Sequence, residues 1–469
     1  MSEIKKVATR DSYGNALVEL GKEHDDLIVL DADLAGATKT GMFKKAFPER
    51  HWDIGIAEAN MTGIAAGVAA CGKVPFISSF AMFAAGRAYE QVRNAIGYPH
   101  LNVKIGATHA GISVGEDGAT HQCLEDIGLM REIPGMVVIN PADDVEARAA
   151  VKAAYEHAGP VYLRFGRLAV PVFNDEATYK FEIGKGIVLK EGTDVTIFAT
   201  GLCVNETIEA EKMLAADGIN AEIINIHTIK PLDRELVVKS ALKTGKVVTV
   251  EEHSVIGGLG SAVCDVLCEE APTKVLKIGI NDVFGESGPA LELIKKYGLD
   301  AEGIYKKVKA FVKYLKMAAG QCVLVAGIVL GIMLLPYVVS TCQESLVNAK
   351  RTYEKSGLAL GLSREYVLIK VILPAIRPGI VASAMMAFGR ALGETMAVMM
   401  VIGNSAIFPK LLGRGQTLPA LTALEMGSIE YGSIHLSVLY VANLVLLVIL
   451  VVVTLAGQLL KRRFAEHEK

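Results

Sequence analysis

The sequence predicts two consecutive α/β domains with mainly parallel sheets, followed by an all-α membrane segment of about three transmembrane helices. Short β-branched runs alternate with helical patterns in the first part of the chain, and three long apolar stretches follow in the last part. The mean hydropathy of +0.37, with 51% hydrophobic residues, is high for a water-soluble chain. A disordered or fibrous protein is therefore excluded.

The first α/β domain is predicted over residues 1–175 and the second over residues 185–312. The predicted strands are LIVLDADL, VPFISSF, NVKIGAT, MVVINPA and VYLRFGR in the first domain, and DVTIFAT, AEIINIHT and KVVTVEE in the second. Helical stretches separate these runs, which favours parallel strands with crossover helices. The start of the chain has no apolar core of a signal peptide, so we expect this part to stay in the cytoplasm.

Residues 317–469 are predicted to form the membrane segment, with spans at 317–339, 380–403 and 436–460. Each range exceeds the roughly 20 apolar residues that cross a bilayer. The middle range contains Arg390 and Glu394, and charges inside a span are costly and usually functional. Both residues are candidates for an anion path, and an ion pair at i, i+4 is the structural alternative.

Charge is divided unevenly along the 469 residues. Residues 1–312 carry 33 Lys or Arg against 43 Asp or Glu, whereas residues 313–469 carry 15 against 8. The formal net charge of −3 gives no reason to expect nucleic acid as a main partner. The seven cysteines are scattered and complete no zinc site with histidines, so they are interpreted as reduced structural thiols, and no metal site is predicted.

Candidate catalytic residues lie in the first domain. The stretch HWDIGIAEANMTGIAAGVA places Glu58 at the start of a helix of small apolar residues, where little water reaches its carboxylate. Phe80 and Phe83 follow at i, i+3 in SSFAMF. Further polar candidates follow in ATHAGISVGEDGATHQ and YLRFGR: His109, Asp117, His121, Arg164 and Arg167. Taken singly, each could be a core aromatic, a structural histidine or a surface charge.

Together, Ile56–Asn60, SSFAMF and GEDGATHQ resemble the transketolase family of thiamine diphosphate enzymes. The resemblance covers about residues 5–312 and matches the family's second half, a pyrimidine-binding domain and a C-terminal domain. It implies transfer of a two-carbon ketol unit between sugar phosphates. It also implies that Glu58 hydrogen-bonds N1′ of the cofactor's aminopyrimidine, and that Phe80 and Phe83 stack on this ring.

The same resemblance implies roles for the other polar candidates. The residues that match the sugar channel are His109, Asp117 and His121. The residues that match the substrate phosphate site are Arg10, Arg164 and Arg167, and a guanidinium suits this task. Asp33 matches an acid close to the cofactor, although Gly36, Ala37 and Thr38 stand where the family has a phosphate-contacting serine.

Two departures from the family qualify this interpretation. Gly86 stands where the family has a further aromatic residue, which leaves a deoxyxylulose-phosphate-synthase-like enzyme as an alternative. A third relative, the β subunit of 2-oxoacid dehydrogenases, shares the architecture but fits the GEDGATHQ segment less well. The chain also contains no Gly-Asp-Gly loop for the cofactor's diphosphate. The resemblance therefore implies that a separate N-terminal-section subunit holds Mg²⁺, within a dimeric assembly.

The last part of the chain resembles a second family. YEKSGLALGLSREYVLIKVILPAIRPGI is similar to the cytoplasmic loop of ABC-transporter permeases, which docks on the ATP-binding subunit. Gly361 permits the bend, and the residues that match the end of this loop are Ile372, Leu373 and Pro374. GRALGETMAVMMVIGN resembles the phosphate-transporter permease subunit. The resemblance covers about residues 320–465 and implies membrane lipid, an ATP-binding subunit and a second permease subunit as partners.

The two resemblances conflict over orientation. The docking loop and Lys461–Arg463 both favour the cytoplasm, so with three spans the first would begin outside a prokaryotic cell membrane. Three interpretations stay open. In the first, a transketolase-like half-enzyme is joined to a truncated, non-working permease fragment by gene rearrangement or by an error in sequence assembly. In the second, the tail only anchors a cytoplasmic enzyme. In the third, the chain is a working phosphate-transport subunit with a passenger domain.

Overall fold

The computed structural model describes residues 5–318, 322–404, 415–425 and 434–466. The chain separates into two compact units, residues 1–312 and residues 313–469. The predicted boundary near residues 172–185, inside the first unit, stays a prediction.

The first half of the first unit alternates strands and helices. Its strands are β1 (Lys6–Ala8), β2 (Leu27–Asp31), β3 (His51–Asp53), β4 (Val74–Phe80), β5 (Lys104–Thr108), β6 (Val137–Ile139), β7 (Val161–Arg164) and β8 (Ala169–Pro171). Its α-helices are α1 (Thr9–Glu23), α2 (Ala35–Thr38), α3 (Gly41–Ala46), α4 (Glu58–Ala70), α5 (Tyr89–Gln91), α6 (Asp126–Glu132) and α7 (Asp144–Glu156). Two π-helical turns, Met82–Arg87 and Val92–Gly97, flank α5.

The second half continues the alternation. Its strands are β9 (Ile187–Lys190), β10 (Val195–Ala199), β11 (Ala221–Asn225), β12 (Thr228–Lys230), β13 (Val247–Ser254) and β14 (Val275–Ile280). Its helices are α8 (Cys203–Ala216), α9 (Arg234–Thr244), α10 (Leu259–Glu270), α11 (Ala290–Lys296) and α12 (Ala301–Ala318). All of the runs predicted as strands contain a strand. Six further strands were not predicted because they are short or lie at edges: β1, β3, β8, β9, β12 and β14.

The sheets are mainly parallel, which confirms the predicted fold class. Within the described residues, one sheet has the order β12-β6-β7-β5-β4-β2-β3, and another has the order β14-β13-β10-β11-β9. In these two sheets the antiparallel strands are at the edges: β12 pairs with β6, and β9 pairs with β11. Strands β1 and β8 form a separate antiparallel pair. Because β12 comes from the second half of the unit, it ties that half to the first sheet.

Alternate residues of the central strands pack on opposite faces of the first sheet. Leu30 and Ile77 belong to one buried apolar cluster, and Val29 and Phe76 belong to another. Successive side chains of a strand point to opposite faces, and a parallel sheet is stable only when both faces are covered. Helices α4 and α6 contribute to the first cluster, and α1 and α7 contribute to the second.

This topology gathers several loops at one edge. Strands β2, β4, β5 and β7 are parallel, so their carboxyl ends lie on the same side of the sheet. Ligand sites of open α/β sheets commonly lie at this side. The chain leaves these strands at Asp31, Phe80, Thr108 and Arg164, next to most of the predicted site residues.

The second unit is helical. Its α-helices are α13 (Val323–Ala359), α14 (Arg364–Tyr366), α15 (Leu373–Gly393), α16 (Met396–Ile402), α17 (Leu418–Glu425) and α18 (Ile434–Glu466). Among the described residues, three helical stretches are long and apolar enough to cross a membrane: Val323–Ala359, Arg364–Gly393 and Leu436–Leu459. This confirms the predicted all-α segment with about three candidate spans.

The second span differs from its predicted range of 380–403. Helix α15 ends at Gly393, Glu394 adopts an extended backbone with ψ of 115°, and its N–H donates to the carbonyl of Ala391 at 3.2 Å. A new helix then begins at Met396. The apolar composition continues across this break, so hydropathy alone could not locate it.

Candidate active site

Glu58 is the first residue of α4 and its side chain is 1% exposed. Ser79 Oγ donates to its Oε1 at 3.1 Å, and Arg87 NH1 donates to its Oε2 at 2.8 Å. A helix N-terminus favours a negative charge, and a buried carboxylate needs hydrogen-bonded or charged partners. The carboxylate predicted at this helix start is therefore held at two oxygens by protein donors.

Two stacked phenylalanines lie beside this carboxylate. Phe80 is the last residue of β4, and its ring centroid lies 5.9 Å from that of Phe83 with the planes 14° apart. The Arg87 guanidinium lies 4.3 Å from the Phe83 ring centroid. Phe83 and Arg87 share the π-helical turn, which is a geometry often found at functional sites.

His109 follows β5 and continues the row. Its ring stacks on Phe80 with centroids 3.9 Å apart. Its Nε2 lies 2.8 Å from Arg10 NH1, and its Nδ1 lies 2.9 Å from Thr108 Oγ1. A guanidinium can only donate, so Nε2 is the acceptor and the proton is assigned to Nδ1. Burial, with the charges of Arg10 and Arg167, lowers the pKa of His109 to about 3, so the ring is neutral at pH 7.

His121 approaches the aromatic pair from its other side. Its ring lies edge-on to Phe83, with centroids 5.4 Å apart and planes at 75°. Its Nδ1 is 3.0 Å from Thr120 Oγ1. Asp117, from the same loop, is exposed, and its Oδ2 lies 3.5 Å from Arg167 NH1. The GEDGATHQ loop thus supplies an imidazole to the aromatic pair and a carboxylate to an arginine.

Arg10 and Arg167 add positive charge at the far end of the row. Arg10 NH1 also donates to the carbonyl of Ala37 at 3.2 Å, while its Nε is buried without a hydrogen-bond partner. Burial is the main reason that the pKa of Arg10 is lowered, and the charge of Arg167 lowers it further. Arg167 NH1 donates to the carbonyl of Val114 at 2.5 Å. Both arginines act on His109 electrostatically.

Arg164, also predicted to bind the substrate phosphate, contacts protein groups instead of this cluster, and its predicted role stays a prediction. Its side chain is 3% exposed, and its Nε donates to Asp126 Oδ2 at 2.8 Å. Its NH2 donates to the carbonyl of Glu252 at 2.9 Å, in the strand β13 of the second half. Protein acceptors therefore occupy this guanidinium, and it joins the two halves of the unit.

Asp33 has a left-handed backbone with φ of 60°, and its side chain is exposed. Its N–H donates to Asp53 Oδ1 at 3.1 Å. The buried acid of this loop is Asp31, which accepts from Leu34 N at 2.6 Å and from the hydroxyls of Thr38 and Thr40. Burial raises the pKa of Asp31. The loop that carries Asp33 is thus shaped by Asp31, which the sequence analysis did not single out.

Arg87 and Ser79 are the other site residues that the sequence analysis missed. Ser79 lies inside the SSFAMF segment, and Arg87 lies shortly after it. Neither residue shows in the sequence that Glu58 is its partner. An arginine four residues after Phe83, within an otherwise apolar stretch, was the available signal. Among the described residues, no group of three or more His, Cys, Asp or Glu side chains could hold a metal ion.

In the second unit, the candidate transport residues are not paired with each other. Arg390 lies near the end of α15, with its guanidinium 5.7 Å from the ring centroid of Tyr337 on α13. Glu394 lies beyond the helix end, so the i, i+4 geometry is lost. Within the described part of this unit, no ion pair joins Arg390 and Glu394.

The predicted docking loop, residues 353–380, begins in the last turns of α13 and ends in the first turns of α15. Gly361 has φ of +79°, a left-handed conformation that favours glycine. Ile372 is buried with Val367 and Ile376, whereas Leu373 is exposed. Pro374 is the second residue of α15, which directly follows the π-helical turn Val367–Ile372.

Three family descriptions match this chain. The transketolase pyrimidine binding domain matches residues 5–172, and the transketolase C-terminal domain matches residues 184–304. A binding-protein-dependent transport system inner membrane component matches residues 288–466. The chain therefore joins a transketolase section to a permease domain.

Similar proteins match the first unit. A putative transketolase C-terminal section from Methanocaldococcus jannaschii is 54% identical over 301 residues, which is 64% of this chain and 94% of that protein. A 6-deoxy-6-sulfo-D-fructose transketolase subunit from Clostridium sp. is 46% identical over 298 residues, 63% of this chain and 92% of that protein.

A solved structure described as a split gene transketolase, inactive beta4 tetramer, is 56% identical with a TM-score of 0.61. The match covers 65% of this chain and 98% of that one. The chain belongs to the transketolase family, of which it carries the C-terminal section, followed by a permease domain.

Proposed function

We propose that the first unit is the C-terminal subunit of a split transketolase and transfers a two-carbon ketol unit between sugar phosphates. One observation carries the proposal. Glu58, the Phe80 and Phe83 pair, His109 and Arg10 form a row in which each member contacts the next, directly or through Arg87. The row leads from a buried carboxylate, across stacked aromatic rings, to a cluster of cations.

The carboxylate end of the row suits the aminopyrimidine of thiamine diphosphate, the cofactor of this family. The bound cofactor would supply a nucleophilic carbon for the ketose carbonyl. Glu58 is buried, so it can hold a hydrogen bond to a ring nitrogen without competition from water. Phe80 and Phe83 would stack against the ring, and Ser79 keeps the Glu58 carboxylate oriented through Oε1. Asp33, in the adjoining loop, is proposed to lie close to the cofactor.

The cation end of the row suits a sugar phosphate. Arg10 and Arg167 would bind the phosphate, because a guanidinium fork matches its oxygens. His109, neutral at pH 7, can donate or accept a hydrogen bond at a sugar hydroxyl once Arg10 turns to the phosphate. His121 and Asp117 would line the opposite side of the sugar channel. Together these groups orient the substrate and move its protons.

A partner subunit is part of the proposal. The chain lacks a Gly-Asp-Gly loop, and two of the similar proteins are described as a section and a subunit. The similar solved structure is described as an inactive tetramer of one chain type. We infer that an N-terminal-section subunit binds the diphosphate of the cofactor and Mg²⁺. The assembly would contain two copies of each chain.

The direct experiment is reconstitution. The full-length chain in detergent, an N-terminal section from the same genome, thiamine diphosphate and Mg²⁺ are mixed, and ketol transfer from a ketose phosphate to an aldose phosphate is measured. We expect activity in the mixture and none from either chain alone. Inactivity of a mixture in which the two chains co-purify would contradict the proposal. A gain of pyruvate-dependent condensation instead would favour the deoxyxylulose-phosphate-synthase-like alternative.

A second candidate function is transport of inorganic phosphate by the second unit. The match to a transport inner membrane component over residues 288–466 and the three apolar helices favour it. Arg390 and Glu394 would then lie on the anion path, and the docking loop from Gly361 to Ile372–Pro374 would contact an ATP-binding subunit. A second permease subunit would complete the pore.

Phosphate uptake by a permease-deficient cell tests this second candidate. Restored uptake that Glu394→Gln abolishes would support it. Unchanged uptake, with the full-length chain present in washed membranes, would contradict it. The same membranes assayed with the N-terminal section test whether the tail anchors an active enzyme, and protease access to the first unit from either side of the membrane tests its predicted cytoplasmic location.

A further inference from the structure

Arg87 binds the two groups that the proposed function assigns to the cofactor ring. Its NH1 donates to Glu58 Oε2 at 2.8 Å, and its guanidinium lies 4.3 Å from the centroid of the Phe83 ring. The guanidinium is planar, carries N–H donors at its edge and stacks on aromatic faces. It therefore presents to Glu58 a donor edge and to Phe83 a planar face, as an aminopyrimidine protonated at N1′ would do.

The two partners of Arg87 are not equally able to accept a second occupant. Ser79 donates to Glu58 Oε1 and Arg87 donates to Oε2, and a carboxylate oxygen can accept a second hydrogen bond, so Glu58 alone does not exclude another donor. One face of Phe83 can hold only one planar group in van der Waals contact. A ring that stacks on this face and reaches Oε2 would overlap the guanidinium, so one of the two has to leave.

The surroundings of Arg87 favour its departure over that of Glu58. Its side chain is 48% exposed, whereas that of Glu58 is 1% exposed. An exposed guanidinium regains water when it swings outward, so losing this ion pair costs little on its side. The buried carboxylate has no such alternative and needs a new donor as soon as Arg87 leaves.

We propose that Arg87 is a positioning residue that competes with the aminopyrimidine for Glu58 and Phe83, and that cofactor binding displaces it. The inference rests on the proposed function of Glu58. In the chain without cofactor, Arg87 keeps the buried carboxylate paired and in place. When the cofactor binds with a proton taken from water at N1′, the donor at Oε2 would change from the guanidinium to N1′–H, and the carboxylate would stay satisfied throughout.

The experiment measures binding of thiamine diphosphate with Mg²⁺ to the full-length chain assembled with its N-terminal section. Arg87→Ala removes the competitor, and Arg87→Lys keeps the charge but removes the planar group. Arg93→Ala, an exposed arginine paired with Asn94 outside the row, is the matched control. We expect Arg87→Ala to tighten binding about tenfold. The apparent affinity is the intrinsic affinity multiplied by the fraction of time that the site is free, and Arg87 leaves the site free only about a tenth of the time. Arg87→Lys should tighten binding less, and the control should leave it unchanged.

A second readout needs no cofactor. The chain contains one tryptophan, Trp52, which lies in β3 of the first unit, so its fluorescence reports unfolding of that unit in the full-length protein. Arg87→Ala should lower the midpoint of thermal unfolding, and adding Glu58→Gln should restore most of the loss, because the buried charge is then gone. Arg93→Ala should not change the midpoint.

The outcomes separate this inference from the proposed function. Weaker or unchanged cofactor binding by Arg87→Ala, in a complex where Glu58→Gln weakens binding, would overturn the competition and leave the role of Glu58 intact. Unchanged binding by Glu58→Gln would overturn the proposed function itself. Tighter binding by Arg87→Ala together with weaker binding by Glu58→Gln would support both.

Discussion

Two arginine–carboxylate pairs in the first unit have the same length and different surroundings. Arg87 NH1 lies 2.8 Å from Glu58 Oε2, and Arg164 Nε lies 2.8 Å from Asp126 Oδ2. The side chain of Arg87 is 48% exposed and rests on an aromatic ring, whereas that of Arg164 is 3% exposed and also donates to backbone carbonyls. The distance does not distinguish an exchangeable pair from a structural one; the exposure of the arginine does.

The largest effect is expected at the exchangeable pair, in catalysis. Glu58→Gln keeps the shape of the side chain but removes the group that accepts a proton, so turnover of the reconstituted enzyme should fall by about 10² to 10⁴-fold. Steady-state ketol transfer measures it. Glu49→Gln, at an exposed glutamate, is the control and should be unaffected. Turnover of Glu58→Gln close to that of the control would remove the catalytic assignment.

The largest effect on stability is expected for the structural pair, Arg164 and Asp126. Asp126→Asn leaves the Arg164 charge buried without its partner and should lower the free energy of unfolding by about 3 to 5 kcal/mol. Urea unfolding of the full-length chain, followed by Trp52 fluorescence, measures this. Asp265→Asn breaks the exposed pair with Arg131 and should change stability by less than about 1 kcal/mol. An equal loss of unfolding free energy in Asp126→Asn and Asp265→Asn would show that burial does not decide how much an ion pair contributes to stability.

The dependence of stability on pH should identify the cation end of the row. The pKa of His109 is lowered to about 3 in the folded chain, against an ordinary value of 6.5, so the unfolded chain binds more protons between these values. Stability therefore falls as the pH drops below 6.5, and His109 alone should account for about 3 kcal/mol by pH 4. His109→Gln, which keeps an acceptor for Arg10, should flatten this slope relative to the wild type.

If the free energy of unfolding of wild type and of His109→Gln falls with the same slope between pH 6.5 and 4, the conclusion that His109 is a buried neutral imidazole beside Arg10 is wrong. His24→Gln offers a control, since that ring lies outside the row and stacks on Tyr155. Its slope should match that of the wild type.

The smallest effect is expected for Arg87→Ala on stability. Arg87→Ala leaves the buried Glu58 with only the Ser79 hydrogen bond, but water can take the place of the half-exposed guanidinium. The loss should therefore be about 1 to 2 kcal/mol, below the loss from Asp126→Asn. The same unfolding measurement compares the two. A loss as large as that of Asp126→Asn would mean that the pair is structural, and the contrast between the two pairs would fail.

Much of this architecture follows from local sequence patterns. The alternation of apolar runs with helical stretches predicted the parallel sheets, and parallel strands place Phe80 and His109 at one edge without knowledge of any contact. Glu58 was identifiable only together with the SSFAMF and GEDGATHQ segments, because a helix start also favours an acid for structural reasons. The break after Gly393 was missed, since both sides of it are apolar.

The arginines show where sequence reasoning stops. Arg164 and Arg167 are three residues apart, and only the fold determines that one faces the second half of the unit and the other the GEDG loop. The contact of Arg87 with Glu58 depends on a π-helical turn, and the residue pattern predicts an ordinary helix there. Long side chains that end strands or irregular turns are thus the least predictable part of the site.

The most direct test of the account is the structure of the full-length chain bound to its N-terminal section and thiamine diphosphate, determined by cryo-electron microscopy. The account predicts that the aminopyrimidine lies against Phe83 with N1′ within hydrogen-bonding distance of Glu58 Oε2, and that Arg87 has moved into solvent. An Arg87 guanidinium still paired with Glu58 and stacked on Phe83, or a cofactor bound away from Glu58, would contradict it.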